Sequence, residues 1–541
     1  MKSYIQHIVT EALKSFELDP MPPIQLEKPK IEEHGDLSTN IAMMLAKPLR
    51  NNPRAIAQQL VDILSFDEDK ISAVEIAGPG FINFRFAENY LYDELAVVLE
   101  KESSFGKTRE NEGKKVLVEF VSANPTGPLT VGHGRNAVLG DTVARLFEWT
   151  GAKVDREYYF NNAGRQMRML GLSVQARYLA ELNEPDEFPE GGYEGVYIID
   201  IAKFLVEGNG SALLESDWQP FKQAAEDAIF KDISATLDRM DIHMYSFFNE
   251  HTLYEDGSID GVVQALREQQ LAYDEDGATW FKTTEFGKEK DTVLIKSSGE
   301  PTYRLPDIAY HAHKLNRGYD MCIDIFGADH IDTYPDVLSA LRALNYDASK
   351  VDVVVYQFVT IVKDGQPFKM STRKANFVTL DELMDEVGAD VTRFFFLMRS
   401  PNTHLEFDIA QAKEAGEKNP VFYLQYAHAR ISSILRKVEQ EYTFSAPANL
   451  TLLSHPSETG LIKALLRLPE VVNLSARKKE PHHMITYLNE VASAFTGFYH
   501  DCRIMGEREQ IAHARSSLAS ATAQVLRNGL TILGISAPER M

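Results

Sequence analysis

At 541 residues the chain is longer than one hydrophobic core supports, which predicts about three domains. Its 44 % apolar and 25 % charged residues are ordinary for a soluble globular protein, and two distant cysteines, Cys322 and Cys502, exclude a disulfide framework or a cysteine-built zinc cluster and read as small buried residues. The net charge of −23 is uneven, with 41 basic and 65 acidic residues before Glu406 against 15 and 14 from there on, so an acidic body with a near-neutral end stays compatible with RNA held along local basic stripes.

The chain opens on Met1–Pro20, which carries Glu11 and Glu17 and has no apolar core of the signal-peptide kind. No apolar run is long enough to span a bilayer, so a cytoplasmic protein without membrane contact is expected. Residues 1–110 read as an α+β module. Helical periodicity covers Tyr4–Phe16 and Leu37–Leu49, and Asn52-Pro53 opens another helix with proline at its first position. Val74–Ala77 and Phe81–Phe86 read as strands around the Gly78-Pro79-Gly80 turn. The polar stretch Lys107–Lys115 reads as a linker.

Residues 111–405 have a different pattern. Val116–Ser122 is strand-like, a Pro/Gly loop follows, and a helix runs from Val131 to Trp149 before the strand Val154–Phe160. This is a βαβ unit, the building block of a parallel sheet. The sheet is expected to resume with a helix at Asp307–Leu315 and strands at Asp320–Phe326 and Val351–Ile361. Residues 161–299, acidic and mostly helical, read as an insertion that splits the sheet. Residues 406–541 read as all-helical, and no internal repeat or low-complexity tract stands out.

Two segments carry chemistry. Pro128-Leu129-Thr130-Val131-Gly132-His133-Gly134-Arg135-Asn136 sits where a strand passes into a helix, the place where parallel α/β sheets bind ligands. Gly127, Gly132 and Gly134 would let a nucleotide approach the backbone. The helix N-terminus offers free N–H groups and a positive dipole end to phosphates, and His133 can donate to a phosphate oxygen. Phe368-Lys369-Met370-Ser371-Thr372-Arg373 follows the turn residues Asp364–Pro367. A mobile cation there would meet negative charge as it develops in transfer. Gly327-Ala328-Asp329-His330 follows a strand end and is placed to line a nucleotide site. Each segment alone also reads as an ordinary turn or a basic surface loop.

Together, in this order, the two segments resemble the nucleotide signatures of class I aminoacyl-tRNA synthetases. The runs Glu119–Pro128 and Tyr303–His311 narrow the resemblance to the arginyl family, bacterial type. His34–Asn40, Gln425–Arg430 and Leu533–Met541 extend it over nearly the whole chain. The resemblance implies a Rossmann-type catalytic domain, an N-terminal module at the corner of the tRNA and a helical anticodon-binding domain. It implies an arginine–tRNA ligase that forms arginyl-adenylate from ATP and L-arginine and passes the arginyl group to the terminal adenosine of tRNA(Arg). Family members typically need bound tRNA before they activate arginine.

The resemblance carries roles onto particular residues. His133, Lys369 and Arg373 would be catalytic. ATP would be bound by Pro125, Gly127, Thr130, Gly132, His133, Gly327, Asp329, His330, Lys369, Met370 and Ser371. Arginine would be bound by Glu119, Ser122, Asn124, His133, Tyr303 and Asp307, since a guanidinium wants carboxylate partners. Asn40, Tyr426, His428, Arg430, Tyr499 and Arg503 would meet tRNA, the aromatic and arginine side chains by stacking on unpaired bases. Mg²⁺ would accompany ATP without a dedicated protein metal site, and a monomer is expected. Thr130 stands where the family signature usually begins with histidine. Threonine can hydrogen-bond but carries no positive charge, so a weaker or shared ATP contact is expected there. Two other readings start from the same residues: a nucleotidyltransferase sharing the histidine signature, and a catalytically silent tRNA-binding paralogue, motivated by Thr130.

Overall fold

The computed structural model describes residues 1–29, 31–162, 164–185, 187–368, 378–414, 416 and 419–541. The chain packs as two compact units, Met1–Phe105 with Ile431–Arg467 and Ser493–Gln524, and Gly106–Arg430 with Leu468–Ala492 and Val525–Met541.

In the first unit, a three-stranded antiparallel sheet places Phe81–Phe86 between Leu37–Thr39 and Ile71–Ala77. Helices Lys2–Leu13, Ile41–Leu49 and Pro53–Ile63 contribute Ile5, Leu13, Ile41, Ile56 and Leu60 to its core. The helix expected over Leu37–Leu49 begins only at Ile41. Leu37, Ser38 and Thr39 are all buried and pair with Ile82–Phe84, so sheet pairing overrides the helical periodicity. The Asn52-Pro53 start is as expected, with Asn52 Oδ1 accepting from the Arg54 N–H at 2.9 Å.

The second unit is organised by a five-stranded parallel sheet. Its strands are β1 (Lys115–Glu119), β2 (Lys153–Phe160), β3 (Ser246–Asn249), β4 (Met321–Gly327) and β5 (Val351–Tyr356), in the spatial order 5-4-1-2-3. Val116, Leu117 and Val118 are fully buried, as a strand covered on both faces requires. Helix α1 (Val131–Trp149) links β1 to β2, and helix α2 (Arg304–Asn316) precedes β4. The strand order reverses between β1 and β4, which opens a crevice at the carboxyl ends of the strands.

Two expectations change here. Residues 161–299 are not wholly outside the sheet, because β3 lies among them and pairs with β2. Around it stand helices Gly164–Glu181, Val196–Asn209 and Gln219–Arg239, and a small antiparallel sheet, Ala272–Glu275, Ala278–Phe281 and Thr292–Ile295. The run Val351–Ile361 is two strands. β5 ends at Tyr356, and Val359–Lys363 joins a second sheet beside Leu405–Asp408. From Pro420 onward the chain is helical, ending in Glu509–Leu533. Among the described residues no helix is long and apolar enough to cross a membrane. Both cysteines are free and buried.

Candidate active site

Helix α1 begins where the sequence places it, and its first turn is closed by two signature residues. Thr130 is the N-cap. Its Oγ1 accepts the His133 N–H at 3.3 Å, and His133 Nδ1 accepts the Thr130 N–H at 3.2 Å. This is a reciprocal capping box with histidine in the usual place of glutamate. A ring nitrogen that accepts carries no proton, so the His133 proton sits on Nε2. Burial lowers the His133 pKa and favours the neutral ring.

Among the described residues, only one of the three glycines has room for a side chain. A Cβ on Gly132 would meet nothing nearer than Thr130 Oγ1 at 3.6 Å. One on Gly134 would come within 2.6 Å of Leu380, and one on Gly127 within 3.0 Å of the Tyr197 hydroxyl. Gly134 therefore serves close packing of α1, not nucleotide approach. Pro125 is buried in the loop between β1 and α1.

Five acids on or beside helix α2 matter here, apart from Asp336, which pairs with Arg304 and Lys288. Lys314 is fully buried between two of them, donating to Glu119 Oε2 and, at 2.6 Å, to Asp324 Oδ1. His311 Nε2 meets the other Asp324 oxygen at 2.9 Å. The Lys314 ammonium holds Asp324 well below the usual carboxylate range, against its burial, and keeps its own proton. Burial raises Glu119 against the pull of the same lysine. A third acid, Glu157, receives two guanidinium bonds from Arg317 at 2.6 Å each, with Tyr310 at 2.7 Å.

The remaining two acids lack a cationic partner among the described residues. Glu250 follows β3, is buried, and accepts from the Tyr159 hydroxyl at 2.8 Å; burial raises its pKa. Asp307 lies in the first turn of α2, and among the described residues its side chain makes no hydrogen bond or ion pair. Burial pushes its carboxyl up to about 7, with Glu119 and Glu250 adding to the rise while His311 and Lys314 oppose it. Asp307 and His311 line a narrow cleft with Phe326, His330, Thr333 and Tyr334. Two acids thus stand without a cation among the described residues, and one of them, Asp307, lines the cleft. Pro306 is the third residue of α2, which begins at Arg304 and not at Asp307 as expected.

The other expected contacts spread around this cleft. Ser122 Oγ donates to Glu119 Oε1 at 2.9 Å. The Asn124 amide donates to Gln166 Oε1 at 2.7 Å. Tyr303, 75 % exposed at the N-cap of α2, stands on the surface. Gly327 ends β4, and Asp329 and His330 follow it exposed, the His330 ring stacked on Phe326 at 5.3 Å. Lys369, Met370, Ser371 and Arg373 lie outside the described residues. Glu250 and Tyr159 were not singled out from the sequence. The signal available was Asn249-Glu250 at the end of a strand, hidden because β3 was read as part of a helical insertion.

The residues expected to meet tRNA fall in both units. In the first, Asn40 is half-buried before helix Ile41–Leu49, Tyr499 stacks on Phe495 at 6.0 Å, and Arg503 is exposed. In the second, Tyr426 is exposed and stacked on Phe422, and Arg430 is exposed. His428 corrects the expectation. It is fully buried, with Nδ1 bonded to the Pro538 carbonyl at 2.8 Å, and burial lowers its pKa. A neutral ring committed to a backbone carbonyl packs helix Pro420–Glu441 against the segment around Pro538 and does not face RNA.

Three family models cover the chain. The arginyl tRNA synthetase N-terminal domain matches residues 3–86, the catalytic domain of class I tRNA synthetases (R) residues 94–395, and the DALR anticodon-binding domain residues 424–541. An arginine–tRNA ligase of Salinibacter ruber is 53 % identical over the full length of both chains. A crystal structure described as an arginyl-tRNA synthetase from Campylobacter jejuni matches with a TM-score of 0.76 at 32 % identity, over 84 % of this chain and 99 % of that one. The Thermus thermophilus arginyl-tRNA synthetase shares the fold, with a TM-score of 0.79 over 99 % of each chain at 22 % identity.

Proposed function

The chain belongs to the arginyl-tRNA synthetase family and is an arginine–tRNA ligase, and on that premise we propose how its residues divide the work. The observation that carries the assignment is the pair Asp307 and Glu250, two acids without a cation at the carboxyl ends of the strands. The substrate guanidinium is the cation they lack. It would bond to Asp307, with Glu250 behind it. Tyr303 would close over it from the rim, while Glu119, Ser122 and Asn124 would hold the α-amino end. Both Glu119 oxygens already have partners, but a carboxylate oxygen accepts more than one bond.

ATP would lie along the start of α1. Gly132 leaves room for it, the free N–H groups of the first turn face its phosphates, and His133 Nε2–H donates to a phosphate oxygen. Thr130 would act chiefly by closing the first turn: its hydroxyl accepts the His133 N–H, while its backbone N–H holds His133 Nδ1 and so sets the tautomer. Lys369 and Arg373 would neutralise departing pyrophosphate, with Met370 and Ser371 beside the nucleotide. Catalysis then rests on positioning and charge stabilisation, without a covalent enzyme intermediate.

Mg²⁺ would arrive with ATP. The buried set Glu119, His311 and Asp324 has metal-ligand geometry, but the Lys314 ammonium already lies between its two acids. The donor set therefore does not suit a resident divalent ion. Residues 1–110 and 406–541 would bind tRNA(Arg), with Asn40, Tyr426, Arg430, Tyr499 and Arg503 as contacts. A cytoplasmic monomer is the expected form. The test is charging of total tRNA with radiolabelled arginine, alongside pyrophosphate exchange with and without tRNA. Arginine-dependent charging is expected. Exchange without any charging would leave a nucleotidyl-transfer activity, and neither would leave an RNA-binding paralogue.

A further inference from the structure

The loop that carries the arginine contacts starts on a strained turn. Val121 and Ser122, directly after β1, have left-handed backbone, with φ of 65° and 41°. This conformation is uncommon for any residue with a Cβ and is an outlier for a β-branched one. Two in succession persist only where the surroundings over-determine them.

Those surroundings converge on Asn136, a buried residue of α1. Its Oδ1 accepts the Val121 N–H at 2.6 Å, and its Nδ2 donates to the Ile325 carbonyl on β4 at 2.8 Å. One carboxamide thus ties the turn to the signature helix and to the neighbouring strand across the crevice. Beyond the turn, Ser122 Oγ accepts from the Tyr159 N–H at 3.1 Å while donating to Glu119, and the Tyr158 hydroxyl donates to the Ala123 carbonyl at 2.8 Å. An extended path at Val121 would carry Ser122 away from both Glu119 and Tyr159.

We infer that the Val121–Ser122 turn is a strained pedestal for the arginine subsite, and that Asn136 is the positioning residue that holds it. The inference rests on the arginine subsite proposed above. Its consequence is selective: loosening the pedestal displaces Ser122 and Asn124, which face arginine, and leaves the first turn of α1, which faces ATP, in place. Displacements of about an ångström far from the chemistry can cost a hundredfold.

The test is Val121→Gly and Asn136→Ala in the full chain, by pyrophosphate exchange with tRNA present and by thermal unfolding. Glycine adopts the left-handed turn without a Cβ penalty. Val121→Gly also empties a buried position, Val121 being 5 % exposed, so Tm should fall despite the strain relieved, while the freed backbone raises the arginine KM roughly tenfold and leaves the ATP KM within about twofold. Asn136→Ala should lower Tm and raise the arginine KM by roughly ten- to a hundredfold. If Asn136→Ala does not fold, Val121→Gly decides alone. The pedestal is overturned if Val121→Gly leaves the arginine KM unchanged or shifts the ATP and arginine KM equally. Asp307→Asn separates the two levels: if it weakens arginine use while Val121→Gly does not, only the pedestal falls; if neither does, the subsite itself is wrong.

Discussion

The two ends of helix α2 treat charge in opposite ways. Near its C-terminal end, Lys314 stands between Glu119 and Asp324, with the Tyr310 ring at 4.3 Å. About two turns earlier, Asp307 has no ion pair among the described residues and a carboxyl pushed up to about 7. Lys314 is sealed from water and Asp307 only partly so, and only the first is electrostatically complete. An acid without a partner beside one that the chain neutralises itself is what a cationic ligand would complete, as proposed for arginine. Perturbed, unpaired groups in a cleft mark function; the same groups when paired mark architecture. The comparison is sharpest because both ends belong to one rigid element.

The largest effect should come from breaking the complete end. Lys314→Met keeps much of the volume but leaves Glu119 and Asp324 buried without their cation. Removing one partner of a buried pair costs about 3–5 kcal/mol, so a large fall in the urea midpoint is expected. If Lys314→Met were as stable as the parent, the lysine would not be structural and the contrast would fail.

Next is the incomplete end. Asp307→Asn removes a charge with little change of shape. It should reduce kcat/KM for arginine by about 1.5–3 kcal/mol, the scale of a charged hydrogen bond, and narrow the preference for arginine over neutral citrulline. It should not destabilise the fold. A carboxyl raised from its ordinary 3.8 to about 7 binds its proton more tightly folded than unfolded. Native stability therefore falls as pH rises from about 4 to 7, and Asp307→Asn should escape that loss. Its Tm relative to the parent should be higher at pH 8 than at pH 4. Unchanged arginine kinetics would reduce Asp307 to a helix-start acid.

The pH dependence of arginine use is a third, milder probe. Binding a guanidinium needs Asp307 ionised, so log kcat/KM for arginine should rise with pH up to about 7 and then level off. The inflection should vanish in Asp307→Asn. Its survival there would assign it to another group, such as Glu250.

Much of this site was legible in the sequence, for identifiable reasons. Helix α1 was bounded at Val131 and Trp149 because a Pro/Gly loop and a strong cap frame it. Asp307 was legible because it heads the helical run expected over residues 307–315 and falls in the first turn of α2. The role of Lys314 was not, since a lysine in a helix reads as a solvated face; only strands β1 and β4, brought together beside it, reveal its burial. Glu250 was missed because β3 is four residues long and pairs only with β2, a long-range contact that no local period records. The helix expected over Leu37–Leu49 failed for the same reason. His428 was misread because an interface with Pro538, far along the chain, decides its exposure.

The smallest effect concerns an intermediate case, in which the partner of a functional side chain is the backbone itself. His133 is neither ion-paired like Lys314 nor open like Asp307. Its Nδ1 is held by the Thr130 N–H, and the Thr130 hydroxyl caps the helix in return. Thr130→Ala removes the hydroxyl but keeps the backbone N–H. The expected cost is therefore that of an N-cap, about 1 kcal/mol of stability, with a modest loss of adenylate formation as the first turn loosens. Thr130→Ser should restore both, because a serine hydroxyl caps equally well. His133→Ala removes the donor itself and should damage activation far more while costing the fold comparably little. Replacing Thr130 by histidine adds a ring where the cap stood, so any tolerance would depend on the new ring capping in its place. Pyrophosphate exchange across the four variants orders them. Equal, severe losses in Thr130→Ala and His133→Ala would mean that the threonine hydroxyl touches ATP directly, and that backbone support does not explain its presence in the signature.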